Sequence, residues 1–118
     1  MTPARKKRRG KVVTIRLNKA RLAAMIEEAT VDAYGEEERA TGWFTMIEEH
    51  LKIPFETKVL GTAVTVARID LNDDGRIVAI CTRGRERQAI SVTELPLPSP
   101  RPSGSEWIEA YRHWLGGE

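Results

Sequence analysis

The sequence predicts an α+β domain, two helices packed on a small antiparallel sheet with a third helix at the C-terminus, and three observations carry that prediction. Between residues 22 and 51 apolar side chains recur every three or four positions, whereas from residue 57 they alternate. A change of period from near four to two is the sign of a chain passing from helix into sheet. Glycine and Asn/Asp punctuation separates the alternating runs, so consecutive strands are expected to be antiparallel neighbours. After a proline-rich stretch the helical period returns. A chain of 118 residues suits one core, not two.

Residues 1–11 form a polycationic tail, and residues 12–118 the single domain. In VVTIRL, Val13, Ile15 and Leu17 share one side of a short extended segment, after which Asn18 can cap a helix. The helical, acidic part spans residues 18–55. Its first helix has Leu22, Met25, Ile26, Ala29 and Ala33 as an apolar stripe, with Gly35 as its expected C-terminal stop. The second begins near Glu36, turns Ala40, Trp43, Phe44, Ile47 and Leu51 inward, and is closed by Pro54. TKVLG, TAVTVARID, RIVAICTR and RQAISVT read as four strands within residues 57–95, broken by Gly61, the Asn72–Gly75 stretch and Gly84. Residues 96–104 place proline at every second position from Pro96 to Pro102, an extended connector that cannot donate ladder hydrogen bonds. Ser105 then caps a helix over residues 105–116, with Trp107, Ile108, Tyr111, Trp114 and Leu115 on one face.

The net charge of +2 conceals a strong polarity. Residues 1–26 carry +9, residues 27–50 carry −7, and the remainder is neutral. Two surfaces of opposite sign ask for different partners. Arg5, Lys6, Lys7, Arg8 and Arg9 are suited to nonspecific phosphate contacts with nucleic acid. The acidic stretch suits a hard cation, because Ca²⁺ collects six to eight oxygens from carboxylates, carbonyls and water. Glu28, Asp32 and Glu36 would stack on one helix face if the helix ran unbroken through Gly35. Glu48 and Glu49 could join them only if Gly42 were the main bend; otherwise they belong to a separate site. A second string, Asp70-Leu71-Asn72-Asp73-Asp74-Gly75, matches the start of an EF-hand loop, yet its twelfth position is Cys81 where a bidentate Glu is needed. A hairpin turn accounts for it.

Other chemistry is sparse. A lone cysteine, Cys81, forbids an intrachain disulfide and reads as a core residue, and His50 and His113 lack metal-ligand spacing. Neither a nucleophile elbow nor a phosphate-binding loop is present, so no enzyme is expected. No apolar run is long enough to span a membrane and the N-terminus lacks a secretory apolar core, which makes the cytoplasm the expected location. The strand, helix, turn, helix order from Val13 is similar to a ribbon-helix-helix DNA binder, but Glu36, Glu37 and Glu38 would then face phosphate.

More specific is the ordered set Val31, Asp32, Tyr34, Glu36, Glu37 and Glu38, the Gly42-Trp43 pair and the Pro54-Phe55 pair, followed by strands and a Trp-containing helix. In these positions the chain resembles the small bacterial calcium-binding family typified by cyanobacterial CcbP. The resemblance implies a regulatory, non-EF-hand Ca²⁺ binder whose acidic helices hold the ion and whose strands form an SH3-like barrel offering a surface to a protein partner. Carried over by position, the implied metal ligands are Glu28, Asp32, Glu36, Glu48 and Glu49, with Glu37 and Glu38 beside them. The alternative is a nucleic-acid- or protein-binding module working through the basic arm and the barrel.

Overall fold

Two helices, a four-stranded meander and a closing helix follow one another in a computed structural model that describes residues 18–116. The basic tail and the expected Val13–Leu17 strand lie outside the described residues. Helix α1 runs Lys19–Thr30 and α2 runs Glu36–His50; strands β1 (Phe55–Val59), β2 (Thr62–Leu71), β3 (Ile77–Arg83) and β4 (Glu86–Ser91) precede α3 (Glu106–Gly116). The sheet order is sequential and every neighbouring pair is antiparallel.

Asn18 caps α1, its Oδ1 accepting the Arg21 amide at 2.7 Å. That bond satisfies one of the amides left without a partner in the first turn. The helix ends earlier than its apolar stripe suggests. Val31 leaves in extended conformation and Asp32 turns left-handed at φ 58, so Ala33 is not helical and Gly35 is the N-cap of α2 instead of the stop of α1. Thr30 marks the break by turning its Oγ1 back onto the Ile26 carbonyl at 2.7 Å, a side-chain bond that competes with helix continuation.

Helix α2 is continuous through Gly42. Glycine is required there for packing, since a Cβ would lie 2.0 Å from the Ala29 carbonyl oxygen of α1. The two helices therefore cross at backbone contact. Trp43, fully buried, is the centre of the core and meets Tyr111 at 5.5 Å, Trp114 at 5.6 Å and Trp107 at 6.3 Å between ring centroids. Its indole Nε1 is buried and finds no hydrogen-bond acceptor among the described residues. On α3 the buried face is Trp107, Ile108, Ala110 and Tyr111, whereas Leu115 is about half exposed.

Strand β2 is bent by a bulge at Ala67, between the Val66–Cys81 and Arg68–Ile80 pairs. Val66 and Ile69 can both point inward because the extra residue shifts the alternation by one. The four strands form one antiparallel sheet in sequential order, with β1 and β4 at its edges among the described residues. The proline connector is held at its start, where Thr57 donates its hydroxyl to the Pro96 carbonyl at 2.6 Å and Arg112 reaches from α3 to the carbonyls of Val92 and Leu95 just before it. Near its far end the Ser103 carbonyl accepts the Lys52 amide at 2.8 Å.

Leu60 and Gly61 form the two-residue β1–β2 turn with φ of 51° and 78°. Such a turn favours Asn at its first position, and leucine there bears left-handed strain. Leu60→Asn is expected to stabilise the domain by about 0.5–1 kcal/mol, read as a rise in the urea midpoint.

Candidate metal centre

The break at Val31 decides which acidic residues can meet. Glu28 sits in the last turn of α1, Asp32 in the link beyond it, and Glu36 in the first turn of α2, so the stacked face of an unbroken helix does not exist. Twelve residues of straight helix separate Glu36 from Glu48, roughly 18 Å at 1.5 Å per residue. Glu48 and Glu49 consequently stand at the far end of α2 from the remaining candidates.

At the start of α2 the three glutamates have divided roles. Gly35 offers no side-chain cap, and Glu38 reaches back past it to accept the Tyr34 amide at 2.8 Å, which fixes the chain entering the helix. Glu36 and Glu37 are exposed and make no ion pair among the described residues. Their charge is tolerated beside the positive end of the helix dipole.

These two glutamates face the β2–β3 turn. Asn72 builds that turn, its Oδ1 accepting the amides of Asp74 at 3.0 Å and Arg76 at 2.9 Å while Gly75 adopts φ 80. The asparagine oxygen is thereby committed to the backbone. Asp73 and Asp74 are left exposed, and Asp70 is paired with Arg68 at 3.2 Å in β2. The EF-hand-like string is thus a hairpin turn, with its twelfth position, Cys81, buried in β3.

A cleft of about 370 Å³ separates the first two turns of α2 from this turn, lined by Glu36, Glu37, Ala40 and Thr41 on one side and Leu71, Asn72, Asp73, Asp74 and Gly75 on the other. Four carboxylates therefore border one concavity, drawn from two strings that lie 36 residues apart in sequence. They are hard oxygen donors, the class Ca²⁺ prefers. Among the described residues no group of three or more Asp, Glu, His or Cys side chains is placed to hold a metal ion. The donor chemistry fits the ion, and Glu36, Glu37, Asp73 and Asp74 are all exposed side chains at the rim of the cleft.

The family profile described as calcium binding, of CcbP type, matches residues 20–115. This chain belongs to the CcbP calcium-binding family. One similar solved structure is a calcium-binding protein in its calcium-binding form, 20% identical, with a TM-score of 0.67 over 81% of this chain and 90% of that one. Another is CcbP from Anabaena, 19% identical, with a TM-score of 0.64 over 88% of this chain and 95% of that one. At such identity these neighbours establish the α+β fold shared with CcbP. No curated protein matches the chain. Family membership makes Ca²⁺ the ion of this chain.

The other reactive groups are occupied structurally. Burial raises the pKa of the Cys81 thiol above its ordinary value and so disfavours the nucleophilic thiolate. His50 is bonded through Nδ1 to the Met46 carbonyl at 2.9 Å and stacks on Trp107. Burial lowers the Arg112 pKa, while its guanidinium makes three hydrogen bonds to backbone carbonyls. No described helix is long and apolar enough to cross a membrane.

Proposed function

We propose that this protein is a Ca²⁺-binding regulatory protein, not an enzyme, and that the ion is held in the cleft between the start of α2 and the β2–β3 turn by Glu36, Glu37, Asp73 and Asp74. One observation carries the reading: the fold brings two separate acidic strings to opposite walls of one cleft. Family membership supports the choice of ion. The buried thiol and the carbonyl-bound His50 ring support a non-catalytic role.

When bound, Ca²⁺ supplies charge neutralisation and flexible oxygen coordination. The chain's own residues then act as two halves of a clamp. Glu36 and Glu37 belong to the helical layer, and Asp73 and Asp74 to the sheet, so a shared ion links the two layers at their acidic edge. Without it the four carboxylates repel across the cleft. Backbone carbonyls and water would complete the coordination number.

Calorimetric titration of the full chain with Ca²⁺ and separately with Mg²⁺ tests this. Ca²⁺ is expected to bind more tightly, because exposed carboxylates on two walls suit an ion of variable geometry better than one demanding a strict octahedron. A flat thermogram at millimolar Ca²⁺, with the protein folded by circular dichroism, would refute calcium binding.

A further inference from the structure

The meander sends its two tight turns, Leu60–Gly61 and Gly84–Arg85, to one end of the sheet and the acidic turn to the other. At the tight-turn end a groove of about 550 Å³ draws its lining from all four strands and from no helix. Its apolar lining includes Val59, Val64 and Ile90, and Arg83 and Arg87 supply positive charge beside it. Val64 lies two residues before the core residue Val66, so the groove continues the face on which the core is built. Leu60, also part of the lining, is 99% exposed and held at φ 51. Folding alone gives no reason for an exposed leucine in a left-handed turn. Arg83, Arg85 and Arg87 are exposed around the adjacent turn with Glu86 as their only acidic neighbour, and none forms an ion pair among the described residues.

We infer that this groove docks an acidic, extended segment of a partner protein. The arginines select negative charge, and the apolar floor selects a chain that also presents apolar side chains. Four strands about 4.8 Å apart span roughly 14 Å, which four or five extended residues match. A flat lipid surface does not fill a concave floor, and duplex phosphates gain nothing from an apolar one. Residues 1–17 of this chain carry only positive charge and would be repelled by the same arginines.

The test is selection of twelve-residue peptides from a random displayed library on the full chain, followed by fluorescence polarisation of the selected peptides. Enriched peptides are expected to be acidic with apolar residues at alternate positions. Their affinity should fall at least tenfold in the double variant Arg83→Glu with Arg87→Glu, and at least threefold in Leu60→Asn, which suits the turn and keeps the fold. If charge reversal disturbs folding, as judged by thermal melting, Leu60→Asn with Arg87→Gln decides. Peptides bound equally well by these variants would belong to the basic tail and overturn the proposal. So would displacement by a synthetic peptide of residues 1–17, a library that yields no acidic enrichment, or phosphatidylserine vesicles or duplex DNA binding in place of peptides and losing that binding in the same variants.

Discussion

Gly104→Ala is expected to be the most destabilising single methyl group that can be added to this protein. Gly104 is buried at φ 89 just before α3, and a Cβ there would lie 1.9 Å from the His50 carbonyl oxygen and 2.7 Å from the Leu51 Cα. Both neighbours are backbone, so neither can rotate away. The crossing is also tied by the Lys52 amide, which donates to the Ser103 carbonyl at 2.8 Å. Overpacking costs about 1–3 kcal/mol and the left-handed conformation about 1 kcal/mol more, together a large part of the roughly 5–15 kcal/mol that holds a domain. Tm should drop by roughly 8–16 °C, a scale that follows from about 4 °C per kcal/mol in a domain just over 100 residues. Gly42→Ala, which meets the Ala29 carbonyl without a left-handed φ, should lose less. A melting curve for Gly104→Ala within about 5 °C of the parent would mean that α3 packs on the end of α2 more loosely than these contacts imply.

What the sequence displays well is what local chemistry dictates. The switch to alternation at residue 57, the glycines of the tight turns and the Asn18 cap each act within a few residues, and the strands and helices fall where those signals put them. Gly35 misleads because two outcomes share one residue. Glycine ends helices and also begins them, and the choice was made upstream at Thr30 to Asp32 by a side-chain bond and a left-handed residue that propensity does not announce. The bulge at Ala67 is hidden for a related reason: its effect is to reset which side of β2 faces inward, and that depends on the partner strand. The acidic cleft lies at longer range still. Glu36 is visible as part of an acidic run and Asp73 as part of a turn, but their opposition depends on where α2 lands along β2, a matter of tertiary packing. The one hint in the sequence is that Asp73 and Asp74 follow an asparagine that can build the turn alone, leaving two carboxylates with no local task.

The largest functional effect should follow from neutralising one wall of that cleft. Asp73→Asn with Asp74→Asn removes two of the four carboxylates while leaving the Asn72 oxygen to hold the turn, so the backbone is undisturbed. Ca²⁺ affinity should fall by at least about tenfold, a loss of about 1.4 kcal/mol, since two charged ligands become neutral. Stability of the ion-free protein should move the opposite way, because fewer like charges face Glu36 and Glu37 across the gap. The rise in melting temperature on adding Ca²⁺ should shrink, as ligand stabilisation follows affinity by mass action. Glu48→Gln with Glu49→Gln, at the far end of α2, is the matched control and should leave affinity within about twofold, since exposed charges more than a Debye length of about 8–10 Å away are largely screened. Calorimetry on these proteins and on a fourth, Glu28→Gln with Asp32→Asn, separates the possible sites. If the Asn variant binds as the parent does and Glu28→Gln with Asp32→Asn abolishes binding, the ion lies at the link between α1 and α2. If the Glu48 and Glu49 control is the variant that fails, the site lies at the C-terminal end of α2. Only loss from the turn variant, with stability gained in the absence of calcium, matches an ion that clamps helix to sheet.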